Sequence, residues 1–230
     1  MSAGRTIAVI PALDEALNLD WVIRGIVPYV DRVIVADNGS TDATAAVARA
    51  AGAEVVSEPE RGYGAACLAG LERARALGAG TLLFLDADGS DDPSDAPALL
   101  AAVREGGADL ALGVRTRALT EPGAMTFTQR WGNWLAPLLL RLTRSARCSD
   151  LSPFKAVRAE ALARLSLTER GHGFTIELLI EAHQKRLSTV ELPVHCRVRR
   201  GGRSKVSGTL AGTARASARI LAVIGRHAFR

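Results

Sequence analysis

Thr81-Leu82-Leu83-Phe84-Leu85-Asp86-Ala87-Asp88-Gly89 is the stretch on which the reading of this chain turns. Five residues suited to a buried strand run straight into two acids one residue apart. Side chains alternate along a strand, so Asp86 and Asp88 are expected on the same side of the extended chain. Carboxylates that close repel unless a positive charge lies between or beside them. A hard divalent cation with oxygen ligands, Mg²⁺ or Mn²⁺, relieves that repulsion and keeps open positions for phosphate oxygens. A solvated turn after a strand uses the same residue types, so the pair alone leaves both readings open.

Outward from this stretch, Thr6 to Ile10, Arg32 to Ala36, Glu54 to Ser57 and Asp109 to Gly113 are short apolar runs expected as strands. Leu17 to Val30, the Ala-rich run after Ser40, Gly62 to Leu77 and Ser94 to Glu105 are expected as helices, with Ser40 as an N-cap. Strands alternating with helices imply a mainly parallel sheet covered on both faces. Ligands on such sheets sit outside the carboxyl ends of the strands. Pro11–Glu15, Asp37–Asp42, Asp86–Ser90 and Gly113–Arg117 all follow expected strand ends and should meet along one edge.

With 230 residues, 48% hydrophobic but only 4% aromatic, the chain can build one α/β unit whose core is filled by Ala, Leu and Val. A net charge of +5, with basic residues crowded from Arg141 onward, permits phosphate-bearing ligands or an anionic membrane surface without demanding either. No interleaved Lys/aromatic stretch and no zinc-ligand spacing occurs, so no nucleic-acid partner is expected. Three cysteines without a C-x-x-C fit a reducing compartment better than a disulfide framework. No apolar run approaches the roughly 18–20 residues of a spanning helix. Met1 to Arg5 lead directly into a strand, so a cytoplasmic protein without a leader is expected, soluble or peripheral at the cytoplasmic face of the membrane. The first turn lacks G-x-G-x-x-G, which argues against a dinucleotide oxidoreductase although Asp37 would suit a ribose.

Ile10-Pro11-Ala12-Leu13-Asp14-Glu15, Asp37-Asn38-Gly39-Ser40-Thr41-Asp42, Arg61-Gly62-Tyr63-Gly64-Ala65-Ala66 and Asp86-Ala87-Asp88-Gly89 follow one another at a spacing that resembles the family 2 glycosyltransferases. Within them the chain is similar to the dolichol-phosphate mannosyltransferase branch and its bacterial polyprenyl-phosphate relatives. The resemblance covers nearly the whole chain. It implies a GT-A fold, a Rossmann-like α/β/α sandwich with a mainly parallel central sheet. It also implies a single domain over 1–230, with a nucleotide-binding half about 1–113, an acceptor-side half about 114–205 and a basic helix about 208–227. The implied reaction is metal-dependent, inverting transfer of a single hexose from a UDP- or GDP-sugar to a polyprenyl phosphate. A small soluble or other lipid acceptor, or a non-catalytic nucleotide-sugar-binding subunit, are the alternatives. Pro11, Ala12, Glu15 and Asp37 match positions that hold the base and ribose. Asp86 and Asp88 match the D-x-D motif that binds ribose and the diphosphate-bound Mg²⁺ or Mn²⁺. Gly62 and Gly64, with Arg61, either let backbone N–H groups approach the donor or simply make a tight turn before a helix.

Gly113-Val114-Arg115 resembles the branch's G-x-R stretch and Arg130 its second arginine, which implies that Arg115 and Arg130 bind the acceptor phosphate. The planar fork of arginine pairs with phosphate oxygens bidentately. Asp150 and Glu177 match segments that place acids near the sugar, as sugar-binding or base candidates beside Asp88, with a helix-end role as the alternative for Glu177. Arg199-Arg200-Gly201-Gly202-Arg203-Ser204-Lys205 fits R-x-x-G-x-S-K, so Arg199, Ser204 and Lys205 are expected to close over the diphosphate. Trp131, Trp134, Leu135, Leu138, Leu139 and Leu142 fall at helical spacing and are expected in the core, the alternative being an interfacial helix with tryptophans at headgroup depth. Pro137 should kink or split that helix. Arg215, Arg219 and Arg226 share a face of the last helix, which either rests on anionic lipid or packs on the domain with a solvated side. Membrane contact is expected to be peripheral or through a membrane-protein partner. Ser90 stands where the branch often has Gln and Asp14 where Asn is frequent, which leaves the donor open. The Q-x-x-R-W of processive synthases is absent, since Gln129-Arg130-Trp131 has the wrong spacing, so a single transfer is expected.

Overall fold

The computed structural model describes residues 4–143, 145–202 and 218–226. In chain order the elements are β1 (Arg5–Ala12), α1 (Ala16–Ile26), β2 (Arg32–Asp37), α2 (Thr44–Ala50), β3 (Glu54–Ser57), α3 (Tyr63–Ala76), β4 (Ala79–Phe84), α4 (Ala96–Arg104), β5 (Leu110–Thr120), α5 (Phe127–Leu142), β6 (Lys155–Arg158), α6 (Ala159–Leu162), α7 (Phe174–Gln184) and β7 (Thr189–Cys196). A helical stretch over 218–226 follows. The strands form one sheet in the order β3-β2-β1-β4-β6-β5-β7. Neighbours run parallel except around β6, which is antiparallel to both β4 and β5.

Alternation along the strands sorts the core into two layers. Ile7, Val9, Leu82 and Phe84 face one side, where Cys67 and Leu71 of α3 and Phe174 and Leu178 of α7 cover them. Ala8, Ile10, Leu83 and Leu85 face the other, under Leu19, Val22 and Ile23 of α1 and Leu99 and Val103 of α4. These strands are buried on both faces, which is why they read as continuous apolar runs. Cys67 and Cys196 are buried, Cys148 is half-buried, and all three are free. Among the described residues no helix is long and apolar enough to cross a membrane.

Several boundaries differ from expectation for identifiable reasons. The first helix stops at Ile26 and tightens into a 3₁₀ turn over Val27–Tyr29, because Pro28 has no N–H to continue it. Ser40 does not cap the second helix; its hydroxyl accepts the N–H of Asp14 at 2.9 Å, and Asp42 takes the N–H of Thr44 at 2.9 Å instead. The fifth strand does not end at Gly113. It continues to Thr120 because β7, unforeseen in the sequence, pairs with it as far as Cys196. α5 runs unbroken through Pro137, capped by a reciprocal Thr126–Gln129 box.

The tryptophans of α5 are not in the core. Trp131 is 53% and Trp134 61% exposed, with Phe127 at 84% and Leu142 at 69%. The inward face is made by Ala136, Pro137 and Leu140 instead.

Two glycines should respond in opposite directions to alanine. A Cβ on Gly70 would lie 2.4 Å from Cγ1 of Val9, where α3 rests on β1, whereas one on Gly132 in α5 would meet nothing within 4 Å. Gly70→Ala is expected to destabilise by about 1–3 kcal/mol through overpacking. Gly132→Ala is expected to stabilise by about 0.5–1 kcal/mol through helix propensity. Thermal melts of the two variants check this; a Gly70→Ala protein as stable as wild type would show that α3 does not sit this closely on the sheet.

Candidate active site

The strand order reverses beside β1, with β2 and β3 on one side and β4 and β6 on the other. Loops leaving neighbouring strands diverge at such a point and leave a crevice. A hollow of about 760 Å³ lies there. Pro11, Ala12 and Glu15 line it after β1, Asn38 after β2, Asp86 and Asp88 after β4, and Arg115 from β5.

The two acids meet in the hollow, but not as an extended chain. β4 ends at Phe84 and the chain turns through residues 87–89, with Gly89 at φ +75°, a conformation that favours glycine. Oδ1 of Asp88 accepts the N–H of Ser90 at 2.9 Å and closes the turn. A third acid joins them: Asp91, 3% exposed, accepts the N–H of Asp86 at 3.0 Å. Burial pushes the Asp86 carboxyl well above its usual range, and the charges of Asp88 and Asp91 push it further. Its Oδ1 is buried without a hydrogen-bond partner among the described residues. Burial likewise takes Asp91 up to about 6.

Positive charge answers these acids from two directions. Beneath them Lys155, fully buried, donates to Pro153 O at 2.8 Å and Thr175 Oγ1 at 3.3 Å, and its Nζ stands 5.8 Å from the Phe84 ring centre. Burial pulls this lysine down to about 8, against the charges of Asp86 and Asp91 that hold the proton on. Across the hollow Arg199 donates to Oδ2 of Asp88 at 3.2 Å and pairs with Glu15. Its loop is tied to α1: the Gly201 carbonyl accepts Asn18 Nδ2 at 3.2 Å, and Arg200 lies 4.9 Å from the Trp21 ring. Ser204 and Lys205, expected in the same loop, lie outside the described residues, as does Arg215.

Arg115 and Asp150 are brought together as one ion pair. Nε and NH2 of Arg115 donate to the two carboxylate oxygens at 2.8 and 2.7 Å, and the Arg115 N–H adds a third bond at 2.9 Å. Asp150 is 4% exposed, also accepts Leu151 N–H at 2.7 Å, and does not line the hollow. Its oxygens are therefore engaged in fixing Arg115. Glu177 is not at the hollow either. It is 3% exposed and its carboxylate accepts the N–H groups of Thr168 and Glu169 at 2.8 and 2.7 Å. Its carboxylate clamps the 168–169 backbone to the first turn of α7, which is the helix-end role expected as its alternative.

That clamp shapes a wall. Cβ atoms on Gly62 and Gly64 would fall 2.1 and 2.0 Å from the carbonyl oxygens of Arg170 and Glu169. The N–H groups of Gly64 and Ala65 donate to Gly171 O and Arg170 O at 3.0 and 2.8 Å. These glycines thus admit the 169–171 backbone, and the first N–H groups of α3 are spent on it. Glu169, 1% exposed, receives Arg219 at 2.7 Å, Arg226 at 2.8 Å and Gly171 N–H at 2.9 Å. Burial works against its ionisation, but these donors outweigh it and hold the carboxyl below its usual range. The last helix therefore packs on the domain.

Asp37 ends β2 opposite Ala12, and its carboxylate accepts Ser40 N–H at 3.2 Å; it does not line the hollow. Its neighbour Asn38 does, and ties its own loop to the 58–62 loop by accepting Gly62 N–H at 2.7 Å and donating to the carbonyls of Glu58 and Glu60. Arg130 is exposed on α5, one residue from Gln129, which reaches the hollow. Among the described residues no three His, Cys, Asp or Glu side chains form a ready metal cage. The orphaned buried oxygen of Asp86, with Asp88 beside it, nevertheless fits a hard cation that takes part of its shell from a ligand.

A model of the family described as "Glycosyl transferase family 2" matches residues 7–166. The chain belongs to glycosyl transferase family 2. It is 39% identical over 217 residues to an uncharacterised glycosyltransferase of Mycobacterium tuberculosis, covering 93% of this chain and 94% of the other. It is 31% identical over 226 residues to the polyprenol monophosphomannose synthase of Mycolicibacterium smegmatis, covering 89% and 82%. In structure it is similar to M. tuberculosis glucosyl-3-phosphoglycerate synthase in complex with Mn²⁺, UDP and glucosyl-3-phosphoglycerate. The TM-score is 0.77 at 28% identity, over 98% of this chain and 81% of the other. The GT-A fold and the glycosyltransferase class stand on these likenesses.

Sequence reasoning passed over four residues in or beneath the hollow. Asp91 follows the D-x-D by three positions but sits in a polar run that reads as a loop. Lys155 carried no signal, since an isolated lysine is ordinarily solvent-facing. Gln129 was visible only as part of a mismatched motif, and Arg219 only as one of several basic residues on a helix face.

The buried acids make the apo transferase pH-sensitive. The folded chain holds a proton on Asp91 that the unfolded chain releases at the ordinary value of 3.8; its favourable contribution is complete below that value and lost as pH rises through about 6. Lys155 contributes fully above 10.5 and loses its contribution as pH falls through about 8. Stability of the metal-free protein should therefore dip between these two values. Asp91→Asn keeps an acceptor for Asp86 N–H and should stabilise by on the order of 2 kcal/mol at about pH 7.5, with no gain near pH 4. Melts at the two pH values decide it: an equal gain at both would remove charge burial as the cause.

Proposed function

We propose that this transferase moves a single hexose from a UDP- or GDP-sugar to a polyprenyl phosphate, with inversion, at the cytoplasmic face of a membrane. The observation that carries the lipid acceptor is the outward face of α5. Phe127, Trp131, Trp134, Leu138 and Leu142 fall within an arc of about 80°. All but Leu138 are exposed large side chains, and Gln129 of the same helix lines the hollow. Arg130 and Arg141 lie along one edge of the arc and are exposed. Tryptophans and arginines so placed suit the headgroup region. A small acceptor would leave this face without a purpose.

In the donor half, Pro11, Ala12, Glu15 and Asn38 surround the nucleoside, with Asp37 buttressing the turn beside them. Asp86 and Asp88 would hold Mg²⁺ or Mn²⁺, which neutralises the diphosphate as it leaves. Arg199 is released from Asp88 to the diphosphate, and Ser204 and Lys205, which lie outside the described residues, are proposed to join it there. In the acceptor half Arg115, held by Asp150, and Arg130 bind the acceptor phosphate. That phosphate is ionised at neutral pH and attacks the anomeric carbon without a protein base. The second reading is a small phosphorylated acceptor, favoured by the structural likeness to glucosyl-3-phosphoglycerate synthase.

A donor screen over UDP- and GDP-hexoses with Mn²⁺ tests the reading, run in parallel with undecaprenyl phosphate in vesicles and with small phosphorylated acids. Turnover is expected with the lipid. Asp88→Ala should lower it by on the order of 10²–10³-fold or more. The Trp131→Ser/Trp134→Ser double variant should lose co-sedimentation with vesicles while retaining nucleotide binding. Turnover confined to the small acids would replace the lipid acceptor, and full activity in chelator would remove the metal.

A further inference from the structure

Arg219 lines the hollow from the 218–226 helix, next to Gly171 and His172. The helix is anchored on the core through Val223 and Ile224, both buried, and through Ile220. Its two arginines converge on one acid. Arg219 Nε donates to Oε1 of Glu169 and Arg226 NH2 to Oε2. The Glu169 side chain is fully buried while that of Arg219 is 52% exposed. One carboxylate cannot neutralise two guanidinium groups, so the cluster keeps a net positive charge, and of its two arginines only Arg219 borders the hollow.

The bonding of Arg219 is lopsided. Only Nε is engaged, and its two terminal nitrogens have no partner among the described residues. Guanidinium presents its donors in a rigid fork, so fixing one edge leaves the other aimed. Glu169 has a reserve. If Arg219 leans toward a ligand, Arg226 and Gly171 N–H still hold the carboxylate. A buried acid with a single partner would resist that movement, because stranding it is costly. Arg115 on Asp150 and Arg199 on Glu15 are built alike, each held by a nearly buried acid at the edge of the same space.

We infer that Arg219 is a phosphate-binding residue of the hollow, held by its Nε on Glu169 with its terminal N–H groups offered to phosphate oxygens of the donor diphosphate or the acceptor. This rests on the reading of the hollow as the transferase site. Arg226 is the structural partner that keeps Glu169 neutralised and takes no part in binding.

The test is calorimetry on the full chain with UDP and GDP in the presence of Mn²⁺, and separately with undecaprenyl phosphate in detergent. Wild type, Arg219→Gln, Arg219→Lys and Arg226→Gln are compared, each with a thermal melt. Arg219→Gln should weaken one of the two phosphate ligands by about 10–100-fold, and which one identifies the phosphate it contacts. Arg219→Lys should recover part of the loss. Arg226→Gln should lower the melting temperature at least as much as Arg219→Gln yet change both affinities by less than about twofold. If wild type binds while Arg219→Gln binds both ligands equally well, this inference alone falls. It also falls if Arg226→Gln weakens binding as much as Arg219→Gln, because the effect would then run through helix docking. A wild type that binds neither ligand overturns this inference together with the transferase reading.

Discussion

Asp86, Asp88 and Asp91 are packed into a single turn at the end of a strand covered on both faces, and the surrounding site is arranged around their mutual repulsion. Burial denies Asp86 and Asp91 water, and the charge of Asp88 beside them raises the cost of ionising both. Lys155 supplies one counter-charge from below, but it is itself fully buried, and burial pulls its pKa down to about 8. Arg199 supplies another from a loop that must cross the hollow to reach Asp88. The arrangement is thus a strained compromise, with Oδ1 of Asp86 unpaired among the described residues. Natural chains keep such compromises where a ligand resolves them.

The same economy of charge explains the arginines. A flexible cation at the mouth of a hollow would lose side-chain entropy on every binding event. Arg115, Arg199 and Arg219 have instead been immobilised in advance by Asp150, Glu15 and Glu169. Each acid is at least nine-tenths buried and so cannot trade its arginine for water. The hollow is therefore preorganised for anionic oxygens rather than merely positive. Acids that look catalytic in a sequence can act in this way, one step behind the residue that touches the ligand.

How far the sequence could be read depended on whether the controlling contacts were local. β1, β2 and β4 were legible because strands buried on both faces carry continuous apolar runs, and the loops after them were placed at one edge by topology alone. β7 and the outer part of β5 were not, because each is stabilised as a strand by the other across a long sequence separation. The apolar stripe of α5 was seen, but periodicity gives the direction of a face and not what covers it; Ala136 and Leu140 had taken the inward side. Gly62 and Gly64 read in the sequence either as an approach to the donor or as a tight turn before a helix, and neither reading includes an approach by protein backbone. Which backbone approached could not be known without the 169–171 wall, more than a hundred residues later.

The fate of the two candidate bases bears on the chemistry of the acceptor. An acceptor hydroxyl must lose a proton as it attacks, and something within reach must take it. Asp150 already accepts four hydrogen bonds, three of them from Arg115, and Glu177 is spent on the 168–169 backbone. The acids that do reach the hollow are crowded among cations at its donor end, where accepting a proton would cost the very charge that a divalent ion requires. A nucleophile that arrives already ionised asks nothing of these groups. It asks for fixed positive charge, the role proposed for Arg115, and for somewhere to lay whatever the phosphate is attached to. The exposed aromatic and leucine face of α5 supports the proposed lipid acceptor separately from the hollow, because Gln129, which lines the hollow, lies on the opposite side of the same helix.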